Sequence, residues 1–353
     1  MGFQDAGFEI VLVNEYDKDF LYSYKYARRK DELSVPRYGY FNCDINDFLK
    51  EPLSGLLERR ISELRNDNEL IGFIGGPPCP DFSVGGKNKG KNGENGKLAK
   101  SYIDIIIKFK PDLFLFENVK GLLRTKRHRE YYEDLKHYLI LNNYILTDTL
   151  VNSLEYGVPQ DRERVLLMGI NGCSEISRRI IWTNNLFAFP WRLHSLYNID
   201  EIKNCEWPIT QKYIQYSKRK FKYNAPIELT VEYWFERNNV YKHPNRLDKF
   251  KVRKAQDKIY SIEEGDVSKK SYKRLHRWRY SPTAAYGNNE VHLHPYRNRR
   301  LSVAEAMAIQ SLPSSFELPV NLCLTAKFKM IGNGVPYLMA YAIARTIQEY
   351  FGL

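Results

Sequence analysis

Four short stretches of this chain carry residue types that can do chemistry. The first is Gly75-Gly76-Pro77-Pro78-Cys79-Pro80-Asp81-Phe82-Ser83. Its thiol comes after a short apolar run, and the prolines fix the backbone that presents it. Cys79 is either a small apolar filler, the commoner role of a cysteine, or a nucleophile placed where ligands of open α/β sheets bind, at a strand end. The second stretch, Asp112–Val119 (DLFLFENV), closes an apolar run with Glu117. Burial there raises a carboxyl pKa and suits it to donate a proton, whereas solvent would leave it an ordinary strand end. The third, YGVPQDRERV (156–165), spaces Gln160, Arg162 and Arg164 by two, so an extended backbone puts them on one face. They form either a polar sheet edge or a row of donors for an oxygen or phosphate. The fourth, KMIGNGVP (329–336), sets Gly332 and Gly334 around Asn333 before a helix, a tight turn that can seat a ligand against backbone groups.

These stretches need a scaffold. Glu9–Val13, Leu70–Ile74, Asp112–Glu117, Tyr144–Val151 and Glu163–Ile170 read as strands, and Ser101–Lys110 and Glu130–Leu141 as helices. Such alternation predicts a mostly parallel sheet with helices on both faces. After residue 190 the pattern fades, and it returns near residue 301. Ser302-Val303-Ala304-Glu305 is a capping box that opens a helix through Gln310, stopped by Pro313. A final helix runs from Tyr337 to Tyr350, with Pro336 at its start. Residues 84–97 are rich in glycine and lysine and read as a long mobile loop.

Composition locates a partner. Of the 353 residues, 54 are Lys or Arg and 42 Asp or Glu. Residues 191–300 hold 24 basic and 12 acidic side chains, so the remainder is balanced at 30 of each. Tyr213, Tyr216, Phe221, Tyr223, Tyr233, Trp234, Tyr272 and Trp278 are interleaved with that excess. A localised basic, aromatic-rich segment beside a neutral body points to nucleic acid. The start of the chain lacks a secretory pattern, and no apolar stretch approaches the roughly 20 residues of a membrane helix. Five scattered cysteines make no zinc spacing and suit a reducing compartment, so no metal is expected.

PPCPDFS, FENVKGLL, YGVPQDRERV, RLSVAEAMAIQSLP and MIGNGVP stand in the order shown by the cytosine-5 DNA methyltransferases. Over residues 1–170 and 297–353 the chain resembles that family. The resemblance implies a Rossmann-like α/β domain over 1–190 and 300–353, and a smaller, mostly irregular or β target-recognition domain over 191–299. It implies Cys79 as the nucleophile at cytosine C6, Glu117 at N3, Arg164 near O2, and Arg162 supporting the site. S-adenosylmethionine would be the methyl donor, with Glu15 at its ribose, Asp44 at its adenine, and Pro78, Leu98, Asn333 and Val335 lining its pocket. Double-stranded DNA would meet Ser83, Gln160, Lys87, Lys89, Arg274 and Arg277. The Ser83–Lys100 loop is similar to the family's mobile catalytic loop, closing over a base flipped from the duplex.

The resemblance also implies a bacterial or phage enzyme acting as a cytoplasmic monomer, within a restriction–modification system and beside a cognate endonuclease. The chain departs from the family at its start. Met1–Phe8 resembles the first helix, without the strand and Phe-x-Gly-x-Gly-Gly turn that normally precede it. The expectation is that the functional product begins upstream. The rivals are an inactive truncated DNA-binding homologue and a tRNA cytosine-5 methyltransferase.

Overall fold

The computed structural model describes residues 1–77, 94–252, 259–269, 271–284, 286 and 291–353, without the side chains of 94–96. Ten strands organise it: β1 (Val13–Asn14), β2 (Tyr40–Phe41), β3 (Gly72–Gly75), β4 (Leu113–Val119), β5 (Tyr144–Asn152), β6 (Gln160–Asp161), β7 (Glu163–Asn171), β8 (Trp182–Thr183), β9 (Leu186–Phe187) and β10 (Ser281–Pro282). Six of them form one sheet in the order β3-β4-β7-β5-β9-β8, while β1 pairs with β2 and β6 with β10.

The main sheet is mixed, which corrects the mostly parallel expectation. β3 runs parallel to β4, but β7 is antiparallel to both β4 and β5. The reason lies in the connection. Residues 153–162 alone separate β5 from β7, and their only elements are the single turn Ser153–Tyr156 and the two-residue β6. A parallel crossover needs a dozen or more residues, so the chain must double back.

Period-two alternation along these strands builds two cores. Leu113 and Leu115 of β4, with Leu166, Met168 and Ile170 of β7, face the C-terminal helix Tyr337–Phe351 through Met339, Ile343 and Ile347. Phe114 and Phe116, with Val165 and Leu167, face the opposite layer. There Tyr102, Ile103 and Ile106 of helix Glu94–Phe109 meet Tyr132, Leu135 and Leu139 of helix Lys126–Leu141. Burying β4 on both faces explains why its sequence is continuously apolar up to Glu117.

The expected capping box is present. Ser302 Oγ accepts from Glu305 N, Glu305 accepts from Ser302 N, and helix Val303–Ile309 comes next. The Gly-Asn-Gly reading needs correction. Helix Leu324–Asn333 runs through Gly332 and Asn333, and Gly334 only caps it, with φ −62°. Gly332 serves a close approach rather than a turn. A Cβ there would lie 2.9 Å from Tyr286 N and 3.2 Å from Ala284 O.

Between residues 191 and 299 the described chain is mostly irregular, with short helices at Ile199–Asn204 and Val231–Arg237. This segment packs against the C-terminal helices. Val231, Trp234, Phe235 and Val291 share one core with Val303, Met307, Phe328 and Ile331.

Candidate active site

β4 and β7 bring the first two chemical residues together. Val119 faces Arg164 in the antiparallel register, and Glu117 faces Leu166. Glu117 and Arg164 are thus diagonal neighbours on one face, within reach of long side chains. Arg164 Nε lies 2.7 Å from Glu117 Oε1, and its Nη1 donates to Glu163 O at 2.8 Å. The guanidinium is nearly buried, and burial lowers its pKa while Glu117 opposes the shift.

The end of β3 reaches the same point. A Cβ on Gly76 would meet Glu117 Oε2 at 2.9 Å, so glycine lets the chain pass this close without displacing the carboxylate. Pro78, Cys79, Ser83, Lys87 and Lys89 lie outside the described residues. Covalent reach alone keeps Cys79, three residues on from Gly76, within about 11 Å of it.

Arg162 and Gln160 hold the backbone around the site. Arg162 is buried, and its guanidinium donates to Gly332 O (2.9 Å), Gly334 O (3.1 Å) and Ala284 O (3.4 Å). Burial, and then the neighbouring Arg164, lower its pKa to about 9, which still leaves it charged at neutral pH. It positions the Gly-Asn-Gly segment. Gln160 is wholly buried. Its Nε2 donates to Gln310 Oε1 at 3.1 Å, and its Oε1 accepts from Ala284 N at 2.9 Å. This corrects the expectation that Gln160 meets DNA; it clamps residue 284 onto the sheet domain. β10 extends the same clamp, pairing Ser281 with Gln160 and Pro282 with Asp161.

Arg274 and Arg277 are corrected likewise. Arg274 is fully buried and donates to Ile259 O, Ile262 O and His294 O at 2.6–2.8 Å. Arg277 is buried in an ion pair with Glu264, its Nε 2.7 Å from Oε1. An irregular segment has few backbone ladders, so buried guanidiniums supply donors to its carbonyls. Neither side chain faces solvent or a groove.

The expected donor-pocket residues converge on one cleft of about 3130 Å³. Glu15, Asp44, Leu98, Asn333 and Val335 all line it, with Glu117, Arg162 and Arg164. Glu15 Oε1 accepts from Asp17 N at 2.8 Å, and burial raises its pKa. Asp44 caps the turn Ile45–Leu49 by accepting from Asn46 N at 2.8 Å. Two carboxylates among apolar walls suit a ligand with hydroxyl and amine donors and a cationic centre.

Two contributors escape a reading of the sequence alone. Gln310 Nε2 donates to Ile331 O at 2.5 Å and so ties the capping-box helix to the Gly-Asn-Gly segment. Gln310 ends its helix as a polar residue in an otherwise apolar run, which is the one signal the sequence offers for it. Gly76 stands in sequence as a mere neighbour of Cys79, and its closeness to Glu117 depends on the pairing of β3 with β4.

A sequence model of C-5 cytosine-specific DNA methylases matches residues 1–349. The chain belongs to that family. It is a DNA (cytosine-5-)-methyltransferase, of a family that uses S-adenosylmethionine. It is 49% identical over 350 residues to the Type II methyltransferase M.NmeDI of Neisseria meningitidis serogroup C, covering 99% of this chain and 80% of that one. It is 30% identical over 357 residues to M.FnuDI, a Type II methyltransferase of Fusobacterium nucleatum, covering 99% and 90%. Among solved structures, a DNA modification methyltransferase encoded within an E. coli prophage superposes with a TM-score of 0.61 at 20% identity, covering 100% of this chain and 95% of that chain. A DNMT2 of Spodoptera frugiperda gives 0.53 at 15%, covering 100% and 95%. These likenesses confirm the α/β methyltransferase fold.

Proposed function

We propose that this DNA methyltransferase methylates C5 of a cytosine flipped from a specific duplex sequence, through a covalent bond between Cys79 and C6. The observation that carries the reading is the meeting of Glu117, Arg164 and Gly76 at adjoining strand ends, with the Pro-Pro-Cys segment leaving from Gly76.

The ring dictates the chemistry. Cytosine C5 is a poor nucleophile until the Cys79 thiolate adds to C6 and makes the ring an enamine. Glu117 holds a proton or hydrogen bond at N3 and stabilises the charge that develops there. Arg164 donates toward O2 and is held in place by Glu117. The donor supplies an electrophilic methyl group on a sulfonium. Methyl transfer to C5 would break the donor's S–CH3 bond as the C5–CH3 bond forms. The C5 proton then leaves to water or hydroxide, the C6–S bond breaks, and the thiolate is restored. Glu15 and Asp44 would hold the donor's ribose and adenine, with Pro78, Leu98, Asn333 and Val335 around them. Ser83, Lys87 and Lys89 would contact the DNA backbone, and residues 191–299 would choose the sequence. The relatives' names support a role in a bacterial restriction–modification system; in this reading the enzyme works beside a cognate endonuclease, as a cytoplasmic monomer.

The test is a duplex carrying 5-fluorocytosine, whose C5–F bond blocks release. With donor present, a covalent adduct should form on wild type and be absent from Cys79→Ser. No adduct on a wild type that binds the duplex would overturn the mechanism. Bisulfite sequencing of DNA from an expressing host identifies the target.

A further inference from the structure

Residues 211–224 (QKYIQYSKRKFKYN) hold five basic side chains and no acidic one. Every even-numbered residue among them is exposed and every odd-numbered one is half-buried. This is the alternation of a strand, yet among the described residues of the segment only Gln211 is paired, in a single antiparallel bridge with Glu264. Its inner face is fixed by side chains instead. Arg277 donates to Ser217 O at 2.5 Å and to Ser217 Oγ at 2.8 Å. Trp278 Nε1 donates to Arg219 O at 3.0 Å, and Phe221 packs edge-on against Trp278. The Arg274 guanidinium lies 3.8 Å from the Tyr213 ring centroid. Tyr216 has a left-handed φ of +57°, rare for a tyrosine, and its N–H is held by Tyr296 O at 2.8 Å.

The outer face carries Lys212, Lys218, Lys220 and Lys222, none with an ion-pair partner among the described residues. Lysines two apart on an extended backbone recur about every 7 Å. A rigid underside with unpaired cations above it suits a regular polyanion, and one DNA strand offers a charge about every 3.4 Å of axis. The segment also touches the immediate chain neighbour of a cleft residue. Arg274, which covers Tyr213, directly follows Lys273, and Lys273 lines the active-site cleft.

We propose that the outer face of residues 211–224 is a phosphate track, on which Lys212, Lys218, Lys220 and Lys222 meet the backbone of the substrate duplex. The proposal rests on duplex DNA being the substrate. The track holds the DNA in register and leaves base reading to other residues.

The test is the Lys218→Gln/Lys220→Gln/Lys222→Gln triple variant. Its affinity for two duplexes is measured between about 50 and 200 mM salt. One duplex carries the sequence methylated in an expressing host, and the other a scrambled sequence. The expected result is a slope of log K against log salt reduced by about 3 for both duplexes, at roughly 0.9 per lysine. The specific-to-scrambled ratio and the melting temperature should not change. A solvated basic face would leave the slope unmoved and overturn the track. A loss confined to the specific duplex would also overturn it, because the lysines would then be reading bases. Methyl transfer by the same wild-type preparation separates the two readings. An unmoved slope in an enzyme that methylates DNA sinks the track alone, and a wild type that neither binds nor methylates DNA sinks both.

Discussion

Arg164 Nε lies 2.7 Å from Glu117 Oε1, diagonally across the ladder between β7 and β4. The pair sits where β4 stops being apolar, so two neighbouring strands end in opposite charges. Glu117→Gln keeps the shape and the acceptor but removes the acid. The expected outcome is a fall in kcat of at least about 100-fold, the lower range for an acid–base group, with duplex affinity little changed. Arg164→Ala should instead lower stability as well, by about 3 kcal/mol, because it strands a partly buried carboxylate. Tritium transfer and urea denaturation measure the two effects. Full activity in Glu117→Gln would remove the carboxylate from the proposed chemistry.

Gly332 offers a test of the corrected helix. Alanine is ordinarily the better helix residue by about 1 kcal/mol. Here its Cβ would press on Tyr286 N at 2.9 Å and Ala284 O at 3.2 Å, both backbone atoms that yield little. Gly332→Ala is expected to destabilise by about 1–3 kcal/mol, the usual cost of overpacking. Any gain in stability on chemical denaturation would show that the approach of Ala284 and Tyr286 is not tight.

Arg274 separates an internal anchor from a groove contact. Arg274→Lys keeps the charge and loses the planar fork that spans Ile259 O, Ile262 O and His294 O. The expected change is a stability loss of about 2–4 kcal/mol, from hydrogen bonds to a charged donor left unmade. Thermal melting without DNA checks it. A variant that melts like wild type and only binds DNA less well would restore the groove reading.

These corrections mark what is legible in the sequence. Strand and helix positions are legible because β4 and β7 are long apolar runs and the capping box is a local signal. Glu117 and Arg164 are legible as chemical types, but their pairing depends on strand register, which periodicity does not encode. Direction is the weakest reading. β7 carries the same apolar pattern whether parallel or antiparallel, and only the shortness of the β5–β7 link decides. The arginines fail for a different reason. In an irregular segment, arginine serves either a phosphate or a stranded carbonyl, and composition does not distinguish them. The lysines of 211–224 contribute to the charge excess, but their two-residue spacing gains meaning only once the backbone is seen to alternate between exposed and half-buried positions.

Glu232 gives the irregular segment after residue 190 a pH dependence. Burial raises its pKa from 4.5 to about 7, opposed by the Tyr296 hydroxyl and Arg277 and reinforced by Glu236 and Glu264. Tyr296 OH donates to Oε1 at 2.7 Å, while Oε2 is buried without a hydrogen-bond partner. The folded protein thus holds a proton that the unfolded chain loses near pH 4.5. Between those values the folded state binds more protons, so stability falls as pH rises. The contribution is fully present below about pH 4.5, is lost by about pH 7, and amounts to roughly 3 kcal/mol at most. Glu232→Gln keeps an acceptor for Tyr296 and cannot ionise. Relative to wild type it should gain stability steadily from about pH 4.5 to about pH 7 and hold that gain above. Denaturation curves at half-unit intervals measure the difference, and two parallel curves would mean that Glu232 ionises in the folded protein as it does in the unfolded chain.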